Sequence, residues 1–565
     1  MPHSRLSFDA GGIRSPAARV SGSLRDHFPA GATPRTAQAR LLDQLDDALA
    51  EAEQDPTTPR VLAVEAPPGI GKSHLAMTLA RWSGDAYLLT SQKILQDQYE
   101  REFGDQLQLV KGRDNYACER YPDRLVPTSL GMCRRPRGPV CQCPYARAKA
   151  AALAGPVFCT NTWYFATLRH WHAEQLRRRR LLVIDEAHNL ERQLVNVYTV
   201  RFTAAEMKDW FGAPLPYLPT AEDYRPLLAA HAGRMEDELR AVVAELEAIR
   251  PPELEPELFL QAPPSREEVA LLERRDALEG ALARLHFFVS AGEAEWVVRY
   301  PAEMGATFEL VPLTVTDHAR DLLTGAAELV VLSSAYLGPA AVLADSVGLP
   351  PGAVRGFSVP SPFPLEQRPL VYRPVAAFSR ARRAEQEPAL FAEVAAILGA
   401  HPRDKGLLHV ASYAVARRLV AQLARTAPAE ARRLIFVESS DAKRRALEQH
   451  RVSPSPTVLV SPSLREGVDL PDDFLRFQII TKMPYGDLGD PWTAARRERD
   501  PRWYALETAK ALVQAYGRSC RHAEDFGVTY ILDGQFARFL QHYRPLLPEW
   551  FLDAAHAALR VSSDW

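Results

Sequence analysis

The chain has 565 residues, 47 % of them hydrophobic and 24 % charged, with a formal net charge of −2. Single cores stop growing near ~250 to 300 residues, so about two to four domains are expected, and the composition excludes a disordered or fibrous chain. No charge-free apolar run reaches the ~18 residues of a membrane span and the first residues lack an apolar signal core, so a cytoplasmic protein without membrane contact is expected.

The first informative stretch is "RVLAVEAPPGIGKSHLAMTLA", residues 60–80. It reads as a buried strand, a Gly/Pro turn and an amphipathic helix beginning at Lys72, the context of a phosphate-binding loop. Backbone N–H groups of Pro68-Gly69-Ile70-Gly71 and the helix start at Lys72, Ser73 and His74 would face a polyphosphate; Lys72 would reach the outer phosphates and Ser73 a Mg²⁺ ion. Ala66 stands where the usual pattern opens with Gly.

Between Lys111 and Lys149 there are nine Lys or Arg against three Asp or Glu, and four of the six cysteines. Cys118, Cys133, Cys141 and Cys143 are separated by fourteen, seven and one residues. That fits neither the paired spacing of zinc ribbons nor ferredoxin spacings, so the residues alone indicate metal binding without naming the metal. A reducing compartment argues against disulfides. Cys159 and Cys520 read as core, and Arg177 to Arg180 as a solvated basic turn.

"RRRRLLVIDEAHNLE" follows, a buried strand ending in Asp185 and Glu186 where parallel sheets meet their ligands. Asp185 suits Mg²⁺ and Glu186 the water that attacks a γ-phosphate. Residues 198 to 312 change to helices rich in Glu, Ala, Leu and Arg with amphipathic stripes. Beyond 355, strand-like runs such as "GLLHVAS", "PTVLVSPS" and "RFQIITKM" alternate with helices, predicting a second parallel α/β lobe.

These motifs, "DEAH" included, resemble in order those of superfamily 2 helicases of the iron–sulfur XPD/DinG family. "FPAGATPRTAQ" resembles the adenine-recognition segment, with Arg35 and Gln38 at matching positions. "YLLTSQKILQDQYEREF" resembles motif Ia, which implies Thr90 and Ser91 near a nucleic-acid phosphate, and "VVLSSAYL" resembles motif III, with Tyr336 in place of a small hydroxyl residue. "HVASYAVARRL" resembles motif IV, with Ser412 and Tyr413 facing DNA. "SLREGVDLPDDFLRFQIITKMPY" resembles motif V, with Gly467 and Asp469 in the nucleotide cleft. "QAYGRSCRHAEDFGVTYILD" resembles motif VI, with Gln514 sensing the nucleotide and Arg518 and Arg521, three apart on an expected helix, as arginine fingers. Gln535 follows, where the family tends to carry a basic residue.

The resemblance implies two RecA-like parallel-sheet lobes with two insertions in the first: lobe 1 over 1–108, 156–200 and 311–350, a cluster domain over 109–155, a helical arch over 201–310, and lobe 2 over 351–565. The contexts "VKGRDNYAC" and "CPYARAK" imply that Cys118, Cys133, Cys141 and Cys143 hold a [4Fe–4S] cluster, with Arg113 beside both cluster and DNA. The implied function is an ATP- and Mg²⁺-dependent 5′–3′ DNA helicase acting on single strands, forked duplexes or R-loops as a monomer, with repair as its setting. Two rivals stand beside it: a DNA-stimulated ATPase that remodels without unwinding, and a P-loop kinase whose insertion is stapled by zinc.

Overall fold

The computed structural model describes residues 22–562 apart from 56, 122–125, 135–141, 250–263, 293–294, 301–306, 380–381, 438–439, 463, 465–469, 471, 519 and 523. Cys141, Gly467 and Asp469 lie outside the described residues.

Seven parallel strands form the first sheet, in the spatial order Val354–Ser358, Val61–Glu65, Ala327–Ser334, Arg179–Asp185, Ala86–Thr90, Val157–Asn161 and Gln108–Leu109. Helices cover both faces, which is why its central strands are buried nearly throughout rather than alternating. In Val61–Glu65, Leu62 and Val64 pack with Leu41, Leu75 and Leu79 on one face, and Val61 and Ala63 with Phe165, Leu194 and Leu322 on the other. Six parallel strands form the second sheet: Leu370–Ala376, Val528–Asp533, Phe477–Ile480, Gly406–His409, Val458–Ser461 and Leu434–Phe436.

The lobe boundary expected at 350/351 falls one strand too early. Val354–Ser358 pairs in parallel with Val61–Glu65, so the first sheet runs on to Ser358. A backbone at a sheet edge takes whatever partner its register offers, and composition does not reveal that partner.

The chain leaves the first sheet twice. After Leu109 it enters the cysteine-rich segment, returning through the helix Pro144–Ala154. After Tyr198 it forms a three-stranded antiparallel sheet of Val200–Phe202, Phe308–Pro312 and Trp296–Arg299, beside the long helices Ala221–Ile249 and Arg266–Ser290. Leu228, Met235, Leu272, Leu282 and Phe288 share the core of this insertion. The two insertions touch through an Arg134–Asp276 ion pair of 2.7 Å.

The basic run at 177–180 is a solvated turn only in its first half: Arg177 and Arg178 are exposed, whereas Arg179 and Arg180 enter the strand. Arg179 is fully buried; its guanidinium donates to the carbonyls of Ala152 and Leu153 at the end of the Pro144–Ala154 helix, to those of Gly155 and Pro156, and to Asp85. Arg177 closes on the other side of Asp85 at 2.7 Å. The run therefore caps the helix that brings the cysteine-rich segment back, supplying donors to carbonyls that have no partner inside the helix.

Candidate nucleotide and nucleic-acid site

The turn between Val61–Glu65 and the helix Lys72–Ser83 needs glycine twice. Gly69 has φ +80° and Gly71 φ +88°, a region that side chains rarely adopt. A Cβ on Gly69 would also lie 2.3 Å from the Phe363 ring, and one on Gly71 2.6 Å from Gln38 Nε2. Arg35 and Gln38 approach this loop. Arg35 donates to the Gly69 carbonyl, and Gln38 Nε2 donates to the Gly71 carbonyl at 3.3 Å. His74, on the first turn of the helix, stacks on Phe28 with ring centroids 5.8 Å apart.

Lys72 Nζ lies 3.5 Å from Glu186 Oε1. The motif III strand Ala327–Ser334 runs between the Lys72 and Asp185 strands, with Ser334 level with Glu65 and Ser333 with Asp185. Ser334 Oγ donates to Glu186 Oε2 at 3.3 Å and lies 2.8 Å from His188 Nδ1. Glu186 holds this position with φ +53° and ψ +44°, a left-handed conformation that costs a non-glycine residue about 1–3 kcal/mol and recurs at active sites. Burial alone would raise its pKa, but the Lys72 ammonium and the His188 contact outweigh that and hold it well below the usual carboxylate range.

Asp185 behaves oppositely: burial first, then the adjacent Glu186 charge, push it up to about 6. Its Oδ2 accepts a hydrogen bond from Tyr99 at 3.0 Å, and the same phenol meets the Ser73 hydroxyl. Ser73 and Asp185, the two expected Mg²⁺ ligands, thus converge on one point. A carboxylate whose charge is disfavoured by burial and by a like neighbour is suited to a divalent cation, which offsets both. Tyr99 had no sequence signal beyond its place in an amphipathic helix.

Lobe 2 closes over this pocket. Gln514 Nε2 lies 3.4 Å from His188 Nδ1. Gly517 is so close to Pro68 that a Cβ would lie 2.7 Å from its Cγ, and the Arg521 carbonyl would be 2.5 Å from a Cβ on Gly69. Arg518 and Arg521 do not share a helix. The helix Pro501–Tyr516 stops at Gly517, and both arginines stand on the loop that follows. That loop is tied down by Asp525, whose Oδ2 accepts the Arg521 N–H at 2.9 Å and whose Oδ1 pairs with Arg476 at 3.0 Å. A helix would bring no backbone carbonyl against the phosphate loop, whereas this extended turn does.

Glu191 is another residue the sequence reading missed. It follows the DEAH tetrad by three positions and accepts hydrogen bonds from Arg496 at 2.7 Å and the Trp503 indole at 2.8 Å, both from lobe 2. Glu65, at the end of the phosphate-loop strand, likewise accepts the N–H groups of Leu337 and Gly338 beyond motif III. Tyr336 turns the other way, its hydroxyl donating to the Leu546 carbonyl at 2.6 Å.

At the expected nucleic-acid side, Thr90 departs from its assigned place. It is fully buried and its hydroxyl donates to the Gln92 carbonyl at 3.3 Å, because it ends a central strand covered on both faces. Ser91, the next residue, is partly exposed. Ser412 caps the helix Tyr413–Thr426 by accepting from Val415 N–H, which leaves Tyr413 at that helix's first position. Arg113 lies over the Tyr145 ring, 4.5 Å from its centroid.

Cys118 and Cys143 are buried and Cys133 is partly exposed; none of the three is in a disulfide. Cys118 Sγ lies against Gly131, 3.3 Å from where a Cβ would stand, two residues before Cys133. A short bridge between Ala117 and Pro127 holds the turn, and Cys143 caps the returning helix. Cys159 sits within a buried strand and Cys520 is buried, as expected of core residues.

Comparison with known proteins bears on the fold and its class. Residues 395–554 match the helicase C-terminal domain family. A regulator of telomere elongation helicase 1 homolog from Drosophila willistoni is 34 % identical over 84 residues, covering 13 % of this chain and 8 % of that protein. The ATP-dependent DNA helicase DinG of Photobacterium profundum is 32 % identical over 111 residues, covering 18 % of this chain and 16 % of that one. Each match thus spans a small part of the curated relative's length. Among solved structures, an XPD helicase superposes with TM-score 0.59 and 14 % identity over 91 % of this chain and 98 % of its own. Xpd4 of S. tokodaii superposes with TM-score 0.50 and 15 % identity over 89 % and 97 %.

Two parallel-sheet lobes meeting at a phosphate loop and a DEAH strand define the class of fold, one similar to that of the solved XPD helicase. The curated relatives and solved structures the chain resembles are helicases of the XPD and DinG type.

Proposed function

We propose that the chain is an ATP-dependent DNA helicase that steps 5′ to 3′ along single-stranded DNA and opens forked duplexes or R-loops, acting as a cytoplasmic monomer in DNA repair. One observation carries the reading: the motif VI loop of lobe 2 lies directly on the phosphate loop of lobe 1, beside the Lys72–Glu186 pair. Closure around nucleotide then completes the site, and hydrolysis becomes coupled to relative movement of the lobes.

In this reading Arg35 and Gln38 orient the base, Pro68 to His74 cradle the phosphates, and Lys72 neutralises the outer ones. Ser73 and Asp185 hold Mg²⁺. Glu186, ionised and aimed by Ser334 and His188, orients the attacking water and takes its proton. Arg518 and Arg521 offset the charge that spreads over the γ-phosphoryl oxygens, an effect worth ~10³ to 10⁵ in rate. Gln514 links this chemistry to lobe 2, and Ser91, Arg113, Ser412 and Tyr413 face the strand.

The cysteines fit a resident iron–sulfur group. Thiols are soft donors suited to such a group; Cys118, Cys133 and Cys143 form no disulfide, and Cys118 Sγ lies against Gly131, two residues before Cys133. Cys118, Cys133 and Cys143, with Cys141, would hold a [4Fe–4S] cluster, whose ligation supplies folding free energy that a short, Pro- and Arg-rich segment lacks. The chain's own part is to present Arg113 and the neighbouring aromatic rings from a rigid support, and the helical insertion supplies the arch beside it.

The test is ATP hydrolysis with and without single-stranded DNA, followed by unwinding of a forked duplex. Stimulation together with strand separation supports the proposal. Stimulation without separation favours a DNA-dependent remodelling ATPase, and no stimulation overturns both.

A further inference from the structure

Trp163 is the one exposed tryptophan among the described residues, at 53 %. It stands second on the helix Thr162–Trp171, just past the strand Val157–Asn161. That strand pairs in parallel with Ala86–Thr90, with Asn161 level with Thr90, so both chains emerge at the same rim. Thr162 Oγ1 donates to the Thr90 carbonyl at 3.3 Å and Asn161 Nδ2 to Gln96 Oε1 at 3.3 Å, which lock the two emerging segments together. Ile94, 60 % exposed, occupies the second position of the neighbouring helix Lys93–Phe103. The Asp185 strand lies two strands away, about 10 Å at normal strand spacing.

The charge around this rim is selective. Lys111 is paired with Asp97 and Glu100, Arg147 with Glu119, Arg134 with Asp276 and Arg169 with Asp321. Among the described residues, Lys93 and Arg113 have no carboxylate partner. Lys93 donates to Asn115 Oδ1 at 3.2 Å, and Arg113 lies over Tyr145. The Tyr145 hydroxyl is 2.8 Å from that of Tyr164, the residue next to Trp163. An exposed indole thus stands beside two cations left without anionic partners, one of them joined to it through a tyrosine pair.

A large apolar ring exposed at the mouth of a site exposes hydrophobic area to water without return unless something covers it. Flat rings next to uncompensated cations are the features that hold single-stranded nucleic acid, since every base has a face to stack and every nucleotide a phosphate to pair. A purely apolar partner surface would cover the ring but leave the two cations without a counter-charge.

We infer that Trp163 is a base-stacking platform for single-stranded DNA, with Lys93 and Arg113 holding the flanking phosphates. The inference deepens the helicase reading and rests on it. Stacking on an indole is indifferent to base identity, so the contact serves a strand that passes through in steps.

The test uses the full-length protein and a single-stranded oligodeoxythymidylate carrying one 2-aminopurine. Wild-type protein is expected to quench the 2-aminopurine, and Trp163→Ala to lose the quenching and bind about tenfold or more weakly. Trp163→Phe is expected to recover most of the affinity. An oligonucleotide with an abasic residue in place of the 2-aminopurine is expected to bind wild type and Trp163→Ala alike, which a merely structural role for the ring would not produce. Equal affinity and quenching in wild type and Trp163→Ala would overturn the assignment. Failure of the wild-type chain to bind any single strand would instead overturn the nucleic-acid reading beneath it.

Discussion

Glu191 offers the sharpest test of how the lobes are held. Its carboxylate takes Arg496 on one oxygen and the Trp503 indole on the other, and the Arg496 guanidinium lies 4.6 Å from the centre of the Trp503 ring. The paired side chains are 7 % and 13 % exposed, Arg496 first. Removing one partner of such a pair leaves a charge buried without compensation, which costs about 3–5 kcal/mol, whereas replacing both by apolar groups is close to neutral. Glu191→Ala is therefore expected to lower the opening free energy of the helix Pro501–Tyr516 by about 3 kcal/mol or more. At 1.4 kcal/mol per decade that is an increase of at least about 10²-fold in amide exchange there. The double variant Glu191→Leu with Arg496→Met is expected to return protection to within about tenfold of wild type. Native-state hydrogen exchange reads both. Protection in Glu191→Ala equal to wild type, or a double variant as labile as the single one, would refute the reasoning.

Lys72→Ala is expected to lower ATP turnover by at least about 10²-fold while leaving the circular dichroism unchanged, because the side chain pairs with Glu186 rather than with the core. Cys133→Ser is expected to lower bound iron and remove the brown colour while part of the ATPase survives; unchanged iron content would contradict its place among the ligands. Burial and the nearby His318 lower His170 to about 4 from an ordinary 6.5, in a nest of Trp171, Tyr198 and Phe287. The unfolded chain then binds the extra proton between those values, so stability present above pH 6.5 is lost as pH falls toward 4. His170→Phe is expected to flatten that acid limb in melting temperature, and an unchanged limb would assign it to other groups. Arg179→Met is expected to destabilise the chain by about 3–5 kcal/mol, where a residue on a solvated turn would cost under about 0.5. Thermal unfolding separates the two.

Much of the site was legible in linear form because its chemistry is local. A strand, a glycine turn and a helix start are contiguous, and so are a buried strand and the two carboxylates that end it. The folded chain brings Gln38 to Gly71 and Gln514 to His188. Thr90, Arg518 and Arg521 were misread at the level of local geometry. Thr90 is the buried last residue of the strand Ala86–Thr90, and Gly517 ends the helix that was expected to carry both arginines.

The order of strands along the sheets, the run of basic residues on a helix end and the grip of Glu191 belong to another category. The amino-acid order by itself determined which segments are apolar enough to be strands, where the phosphate loop and the DEAH carboxylates lie, and which cysteines share a segment. Only the tertiary structure decided that Val354–Ser358 joins the first sheet, that Arg179 is buried, and that Trp163 is left uncovered beside unpaired cations. The physical reason is range: propensity and turn chemistry act over a few residues, whereas strand pairing, desolvation of charge and exposure of a ring depend on groups far away in the chain.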